Sequence, residues 1–393
     1  MMEEIRAVVF IGMNPWHYSA INDSVRFLAA ACTRADCHYL DPPLGMRNSL
    51  ARPASFSRGF NWRQEVCGSV RVYQPPLGFA PVSMGMRRRA DRITAAQFDG
   101  MMVGDYGPDW RETTLIYISS WSYTQTYFVK NLRPKHLVFH ILDDSFAFPE
   151  IKNNPRVLAG NKDFFRQMME DSGLVAAVSR ELTEKYSALY RREVHLLRNG
   201  VNVAHFQTPD NTPLPDLADV KRPLLMYTGS INSWVDLPLL IGLAEDKPDY
   251  SLVIIGHYYP GSADDQLWRK LLSNKNVYWL NSKPYALLPG YLHQAAALLL
   301  PRTEDEHSLA SDPLKLYEYL STGKPVVSTG LPAVDEFRRF VYVAAKGGFS
   351  SKIDQAVTEH NNELARRQIE IAKNHSWPAR IDELFSMVRA VEN

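Results

Sequence analysis

The strongest constraint on the fold is a regular alternation of short apolar strands and amphipathic helices in the second half of the chain. Strands that are separated by helices form parallel sheets with right-handed crossovers, and helices cover both faces of such sheets. This half is therefore predicted to be an α/β domain with a parallel sheet. The predicted strands span 224–228, 251–255, 276–280, 296–300 and 325–328, and the predicted helices span 237–245, 264–272, 285–293 and 313–320.

The first half shows the same alternation less regularly, and it begins with a strand at 7–12 and a helix at 20–31. Because the 393 residues are many for one compact unit, two domains are expected. Segment 207–222 holds three prolines and five charged residues, and we interpret it as a linker. The predicted parts are an N-terminal domain at 1–206, a C-terminal domain at 223–365, and a last helix at 366–393 that crosses back to the N-terminal domain.

Charge and cysteine content exclude several classes of protein. With 44 basic and 43 acidic residues the formal charge is +1, which argues against a dedicated nucleic-acid binder. Three cysteines without a CxxC pair form neither a disulfide framework nor a four-cysteine zinc site. No stretch reaches the roughly 18 to 20 apolar residues that span a bilayer. We expect a cytoplasmic protein that could still contact the inner membrane surface.

The most informative segment is SDPLKLYEYLSTGKPVV at 311–327. Asp312 is predicted to cap a helix that starts with Pro313 and ends before Gly323. The unpaired N–H groups and the positive dipole end at such a helix start form an anion site, which Lys315 would assist. Glu318 would then accept hydrogen bonds from ribose hydroxyls. The alternative is that Lys315 and Glu318 form a solvated helix pair.

This segment resembles the donor-binding signature of GT-B glycosyltransferases, particularly the retaining family 4, whose helix reads D-P-x-K-x-x-E-x-x-x-x-G-K-P-V-V. YTGS at 227–230 with WVDL at 234–237, NGVNVAHF at 199–206 and SLVIIG at 251–256 resemble further elements of that family. LDDSFAFP at 142–149 resembles the D-D-W-S-A-F-P run of glycosyltransferases of the teichuronic-acid biosynthesis type. The resemblance implies the GT-B fold: two Rossmann-like domains whose parallel sheets face each other across a cleft.

The resemblance also implies an activity, the transfer of a sugar from a nucleotide-sugar donor to a glycan or lipid-linked acceptor in bacterial cell-surface polysaccharide biosynthesis. The donor would be bound by Glu318, Lys315, Gly229, Ser230, Gly256, Ser311 and Leu314. The candidates for positioning or deprotonating the acceptor are Asp143, Asp144 and His17. For Asp143 the alternative is a cap of a helix or turn, and for His17 it is a loop histidine that the backbone satisfies.

The sequence departs from the family at two places. Ala310 stands where family 4 enzymes usually have a glutamate that contacts the donor sugar, and one of the nearby acidic residues at 304–306 could take its place. The usual basic pair after the glycine loop is missing from 229–235, so Lys315 and the helix amides would carry more of the leaving-group stabilisation. The chain has no D-x-D triplet, and we expect a metal-independent enzyme without a cofactor.

A cluster of arginines lies in the predicted acceptor-binding domain: Arg87, Arg88 and Arg89, with Arg92 close by. Such a cluster attracts anionic lipid head groups or a pyrophosphate-linked acceptor, and the alternative is a solvated helix face. Two other readings of the whole chain stay open. One is a nucleotide-sugar-binding scaffold that lost catalysis, and the other is a nucleotide-sugar epimerase on the same fold.

Overall fold

The computed structural model describes residues 4–17, 23–43, 61–76, 84–121, 125–208, 212–345 and 347–392. The chain divides into two compact units. The first comprises Met1–Arg198 with Arg380–Asn393, and the second comprises Asn199–Ala379.

The first unit is an eight-stranded sheet flanked by helices. Its strands are β1 (Ala7–Ile11), β2 (Asp36–Leu40), β3 (Arg63–Cys67), β4 (Val70–Gln74), β5 (Thr114–Ser119), β6 (His136–Ile141), β7 (Leu174–Ala177) and β8 (His195–Leu196). Its described helices are α1 (Ser24–Ala31), α2 (Met84–Tyr106), α3 (Thr126–Leu132), α4 (Pro149–Lys152), α5 (Pro155–Asp171) and α6 (Arg180–Tyr190). The strand order is β3-β4-β2-β1-β5-β6-β7-β8, and only the β3–β4 pair is antiparallel among the paired strands described.

The second unit is a six-stranded parallel sheet in the order β11-β10-β9-β12-β13-β14. Its strands are β9 (Leu224–Thr228), β10 (Ser251–Ile255), β11 (Val277–Trp279), β12 (Ala297–Leu300), β13 (Val326–Ser328) and β14 (Tyr342–Val343). Its helices are α7 (Val203–Gln207), α8 (Leu237–Asp246), α9 (Asp265–Leu272), α10 (Leu288–His293), α11 (Glu306–Ala310), α12 (Leu314–Thr322), α13 (Pro332–Asp335), α14 (Phe349–Glu359) and α15 (Asn362–Asn374). The last helix, α16 (Trp377–Glu392), begins in this unit and continues in the first from Arg380.

Each sheet has one place where the strand order reverses direction. In the first unit this switch point lies between β1 and β5, and in the second it lies between β9 and β12. Loops that leave the carboxyl ends of strands at such a point diverge, and the crevice they leave is where open α/β sheets bind ligands. The topology therefore directs attention to the loops after β1, β5, β9 and β12.

The five predicted strands of the second unit are confirmed, and all of them are buried except β11, which is half-buried. The predicted helices are also confirmed, although the one at 285–293 begins as a 3₁₀ turn and is α-helical from Leu288. The first unit holds elements that the sequence interpretation left out. Strand β3 is polar and mostly exposed, so it carries no apolar run, and α6 was also not predicted. Of the helix predicted at 20–31, the structure describes residues 23–31, where Asp23 caps the helix through the N–H groups of Val25 and Arg26.

The division into units differs from the boundaries read from the sequence. It falls after Arg198 rather than at 207–222, since Val201 and Phe206 pack in the core of the second unit. Within the segment interpreted as a linker, Leu217 and Val220 are buried in that same core. The segment is therefore an ordered edge of the second unit where the structure describes it.

Candidate functional site

The loop after β9 is held between two neighbouring loops at the carboxyl edge of the second sheet. The Gly229 N–H donates to the Ile255 carbonyl at 2.7 Å, which connects it to the end of β10. On the other side, the Asp236 N–H donates to the Pro301 carbonyl at 2.9 Å, just beyond β12. The Tyr227 hydroxyl donates to the Ser230 carbonyl at 3.0 Å. The loop therefore has a fixed backbone position at the switch point.

Two glycines make this close packing possible. Gly229 has a φ of +132°, and a Cβ atom there would lie 1.9 Å from Lys315 Cε. A Cβ atom on Gly256 would lie 1.8 Å from the Gly229 carbonyl oxygen. Side chains at these positions would separate the loops or displace Lys315. The two glycines that the sequence analysis selected thus lie together, and the Lys315 side chain packs directly against Gly229.

Helix α12 starts next to this loop and is anchored beneath it. The Tyr319 hydroxyl accepts a hydrogen bond from the Thr228 N–H at 2.9 Å, which ties the buried side of α12 to the end of β9. At the far end Gly323 adopts the left-handed conformation that closes the helix, with a φ of +66°. The start of α12 is thus held at a fixed distance from the glycine loop.

The predicted N-cap at Asp312 is wrong. Pro313 occupies the N-cap position and no side chain caps the helix. The buried Asp312 carboxylate instead accepts hydrogen bonds from the Asn199 N–H at 2.8 Å and from the Tyr317 hydroxyl at 2.6 Å. Asn199 returns a bond from its amide to the Asp312 carbonyl at 2.7 Å. The first turn of α12 is consequently left without a side-chain acceptor, which suits an anionic ligand.

Lys315 and Glu318 are not a solvated helix pair. Glu318 is buried at 5% exposure, and Lys315 is partly buried against the glycine loop with its Nζ 5.7 Å from the Tyr227 ring centroid. The pKa of Lys315 is lowered to about 8, mainly by burial and also by the nearby Arg302 charge, while Glu318 opposes the shift. A desolvated ammonium in this position gains from an anionic ligand.

Arg302 is a second cation at this site, and the sequence analysis did not select it. It follows β12 directly, its guanidinium donates to Ser311 Oγ at 2.9 Å, and it lies 5.6 Å from the Trp234 ring centroid. The missing basic residue of the glycine loop thus has a substitute from another strand. The rule that ligands bind at carboxyl strand ends would have selected it, since it lies two positions after a predicted strand.

The remaining predicted donor residues surround the same point. Ser311 is buried and donates to the Ser308 carbonyl at 2.8 Å while it accepts from Arg302. Ser230 is exposed on the glycine loop. Leu314 is half-buried at the first turn of α12. The structure therefore brings all seven predicted donor-site residues to one edge of the second sheet.

The acidic residues that could replace the absent glutamate differ in their surroundings. Asp305 caps α11 by accepting from the Ser308 N–H at 2.7 Å and also accepts from the Thr303 hydroxyl at 2.7 Å. Burial raises its pKa, but these hydrogen bonds outweigh burial and the net pKa is lowered. Glu304 is exposed and lines a cavity of about 560 Å³ together with Arg302. Glu304 is therefore better placed than Asp305 to contact a ligand.

In the first unit the adjacent carboxylates after β6 have different roles. Asp144 is buried, and its carboxylate binds Lys185 Nζ at 2.5 Å and the Tyr186 hydroxyl at 3.1 Å. These two bonds anchor α6, and the assignment of Asp144 as a catalytic candidate stays a prediction. Asp143 is partly exposed and accepts a hydrogen bond from Trp121 Nε1 at 2.9 Å.

His17 lies on the loop after β1 and has a side-chain partner rather than a backbone one. Its Nε2 is 2.7 Å from a carboxylate oxygen of Glu65, which also accepts from the Gln74 amide at 2.8 Å. The alternative of a loop histidine satisfied by the backbone does not describe this contact. His17 and Glu65 are 48 positions apart in the chain, so no local sequence pattern indicates the pair.

The arginine cluster lies on α2. Arg89 and Arg92 are exposed, and Ile93 beside them is 51% exposed. The side chains of Arg87 and Arg88 lie outside the described residues. No helix in the described ranges is long and apolar enough to cross a membrane.

Comparison with known proteins gives the family of the second unit. Residues 215–375 match the family "Glycosyl transferases group 1". This segment is a glycosyl transferases group 1 domain. A 206-residue stretch is 27% identical to TuaH of Bacillus subtilis (strain 168), which is named as a teichuronic acid biosynthesis glycosyltransferase. That match covers 50% of this chain and 51% of TuaH, so the chain spans about half the length of this curated relative.

Solved structures match over nearly the whole chain. An α,α-trehalose-phosphate synthase (UDP-forming) of Burkholderia vietnamiensis is 13% identical with a TM-score of 0.68, and the match covers 99% of both chains. A sucrose-phosphate synthase of Thermosynechococcus elongatus is also 13% identical with a TM-score of 0.68, over 98% of this chain and 99% of its own. At this identity the likeness establishes the fold alone. The protein has the predicted α/β, GT-B fold.

The glycosyl transferases group 1 domain contains the whole candidate site of the second unit. Its matched range includes the glycine loop, Arg302 and α12. His17, Asp143 and the arginines of α2 lie outside that range, in the first unit. The family assignment therefore bears on the predicted donor residues and not on the predicted acceptor residues.

Proposed function

We propose that the protein is a glycosyltransferase that binds the nucleotide part of a nucleotide-sugar in its glycosyl transferases group 1 domain. The observation that carries this proposal is the convergence of Lys315, Arg302 and the uncapped start of α12 on the close-packed backbone of Gly229. Two cations and a helix N-terminus beside a close-packed glycine loop match the negative charge of a diphosphate.

The chemistry that these groups supply is stabilisation of the leaving group. When the sugar leaves, negative charge grows on the diphosphate, and fixed positive groups stabilise it most where water is excluded. Lys315 and Arg302 both face that charge from partly buried positions. Because side-chain cations provide this stabilisation, we propose that the diphosphate is bound without a divalent ion. Glu318 would accept hydrogen bonds from ribose hydroxyls.

For the donor sugar we propose Glu304 as the contact that replaces the glutamate absent at position 310. It lines the cavity that also contains Arg302, whereas Asp305 is occupied as a helix cap. An E304A variant should raise the KM for the donor and leave the affinity for the free nucleoside diphosphate unchanged. Equal losses of both would contradict a sugar contact. E363A, which removes an exposed glutamate on α15, is the matched control.

On the acceptor side we propose Asp143 as the residue that positions or deprotonates the attacking hydroxyl. It is partly exposed after β6 and its orientation is set by Trp121. His17, oriented by Glu65, is the second candidate. The name of TuaH points to an acceptor in cell-surface polysaccharide synthesis, and we propose a glycan or lipid-linked acceptor of that kind.

We further propose a cytoplasmic protein that contacts the inner membrane surface through α2. Exposed arginines beside an exposed Ile93 can bind anionic head groups and insert one apolar side chain, at about 1 kcal/mol per basic residue near the surface. Sedimentation with vesicles should show more binding to anionic than to neutral lipid, and R89E/R92E should remove the difference. If R89E/R92E preferred anionic lipid as strongly as the wild type does, the proposal would be contradicted.

The test of the enzymatic function is nucleotide release. Structural neighbours include a UDP-forming synthase and a synthase bound to UDP-2-fluoro glucose, so UDP-sugars are the first donors to assay. We expect UDP release that depends on a lipid-linked glycan acceptor and is lost in E318A, with E245A on the surface of α8 as control. Nucleotide binding without release for any donor and acceptor would instead support a binding scaffold.

A further inference from the structure

Three side chains of different chemistry meet beside the loop after β1. His17 Nε2, a carboxylate oxygen of Glu65 and Cys67 Sγ all lie within 4.8 Å of one another. No other group of three such side chains converges in the described ranges. We infer that His17, Glu65 and Cys67 form a Zn²⁺ site in the first unit.

The ligand set suits zinc. Imidazole nitrogen, thiolate sulfur and carboxylate oxygen are the three protein ligands that Zn²⁺ uses, at about 2.0–2.1, 2.3 and 2.0–2.2 Å. Two ligand atoms of a tetrahedral zinc ion are separated by about 3.3–3.6 Å, so atoms that lie up to 4.8 Å apart here must approach by about 1 Å. The His17 side chain is 60% exposed and that of Glu65 is 38% exposed, so an ion can reach both from solvent.

Two of the three ligands are on a rigid element. Glu65 and Cys67 are two positions apart on β3, so their side chains project from the same face of the strand. Glu65 pairs with Val72 of β4, and Cys67 pairs with Val70. The Gln74 amide donates to the carboxylate oxygen of Glu65 that faces His17, at 2.8 Å. Bonds of this kind orient metal ligands and contribute to affinity.

The third ligand is on a loop with its own anchor. The Trp16 N–H donates to the buried Asp41 carboxylate at 2.8 Å, directly before His17. The loop and β3 thus approach each other from separate parts of the chain with defined backbone positions. The three ligand atoms are therefore brought together by the fold and not by local sequence.

An ion pair between His17 and Glu65 does not account for the nearby thiol. A second histidine–carboxylate pair in the same unit shows the difference: His195 Nδ1 lies 3.9 Å from Glu193 Oε1, and that pair belongs to no three-ligand group in the described chain. It is an internal control for adventitious binding to histidine and carboxylate alone.

Zinc at this site would have two consequences. Three protein ligands leave one tetrahedral position for water or for an oxygen of a bound ligand. His17 Nε2 would also be occupied, which removes it as a base and leaves Asp143 as the acceptor-side candidate. The three ligands belong to the first unit and the proposed diphosphate-binding residues to the second, so this inference does not rest on the proposed function.

The experiment is a titration of the full chain with Zn²⁺ by calorimetry and with Co²⁺ by absorption spectroscopy. We expect one ion per chain and a cobalt–thiolate charge-transfer band. C67S should remove the band, and H17A should weaken Zn²⁺ binding more than ten-fold. H195A should change neither. Q74L should weaken binding by roughly 10- to 100-fold without removing the band, as expected for a residue that only orients a ligand.

Several results would overturn the inference. Absence of one-to-one binding would do so, as would a thiolate band that survives C67S. A loss in H195A as large as that in H17A would show adventitious surface binding. Because all four substitutions are at partly exposed positions, circular dichroism should show unchanged secondary structure and the titrations remain comparable.

Discussion

The carboxyl edges of the two sheets are built on different principles. At the edge of the second unit, backbone atoms and cations dominate: glycines in contact, the start of α12, Lys315 and Arg302. At the edge of the first unit, carboxylates, aromatic rings and a histidine stand on the loops, with Asp143 held by Trp121 and His17 held by Glu65. One edge suits an anion of fixed geometry, and the other suits a neutral, hydroxyl-bearing ligand.

The difference teaches where substitution is tolerated. Contacts between backbone atoms admit only glycine and leave a readable signature, as at Gly229 and Gly256. Contacts between side chains can be made by many residue combinations and leave little trace in a single sequence. We therefore expect that added side-chain bulk impairs binding at the edge of the second unit. At the edge of the first unit, we expect that replacing a functional group impairs activity.

The largest effect should come from G256A. Its Cβ would collide with the Gly229 carbonyl, so the loops must separate. We expect nucleotide affinity to fall more than 100-fold and stability to fall by about 1–3 kcal/mol, which is typical of overpacking. G160A, within α5 of the first unit and with open space around its Cβ, is the control and should bind nucleotide normally. Normal nucleotide binding by G256A would contradict the claim that this edge depends on close backbone packing.

Glu318 should give the next largest effect. A hydrogen bond to a charged group contributes about 1.5–3 kcal/mol, so E318Q should weaken UDP binding roughly 10- to 100-fold. The specific test is the preference for UDP over 2′-deoxy-UDP. The wild type should show that preference and E318Q should lose it. A preference that persists in E318Q would place the ribose elsewhere.

The two adjacent carboxylates of the first unit should separate stability from transfer. D144A leaves Lys185 without its buried partner, and we expect about 1–3 kcal/mol of destabilisation, discounted because Lys185 is partly exposed. D143N should unfold at nearly the wild-type temperature but transfer sugar far more slowly. Thermal unfolding and transfer rates of the two variants are measured side by side. A destabilised D143N, or a stable D144A that transfers slowly, would contradict these roles.

The smallest effect should be a pH dependence at Lys315. Burial lowers its pKa to about 8, so the ammonium is lost and nucleoside diphosphate binding weakens as pH rises through 8. In R302A the pKa of Lys315 should rise, because Arg302 no longer repels its proton. The pH at which nucleotide binding weakens should therefore be higher, while the affinity at pH 7 should be lower because one cation is lost. Stability of the ligand-free protein should change in the opposite sense. It should increase between pH 8 and 10.5, where the unfolded lysine keeps a proton that the folded one has lost.

The strands of the second unit and the position of α12 could be predicted from the sequence, because apolar runs and the Gly323 helix stop are local signals. The role of Asp312 could not, since its carboxylate bonds to Asn199, 113 positions away, and to the Tyr317 hydroxyl instead of capping the helix. The contrast between Asp143 and Asp144 was also hidden, because burial separates two neighbours that the sequence presents alike.

Contacts between distant segments were beyond the sequence for the same reason. Glu65 and Cys67 lie on a polar edge strand without an apolar period, so neither the strand nor its approach to His17 could be expected. Arg302 is the instructive exception. It lies two positions after a correctly predicted strand, where the rule that ligands bind at carboxyl strand ends indicates a site residue.

The central claim, that the edge of the second unit binds the diphosphate of a nucleotide, is tested most directly by calorimetric titration with UDP, GDP, ADP and dTDP. The wild type and K315A are compared, with K270A on the surface of α9 as control. The account predicts that one nucleotide binds the wild type and K270A alike, without added metal, and that K315A loses most of this affinity. Binding that is unchanged in K315A, or no binding of any of the four, would contradict it.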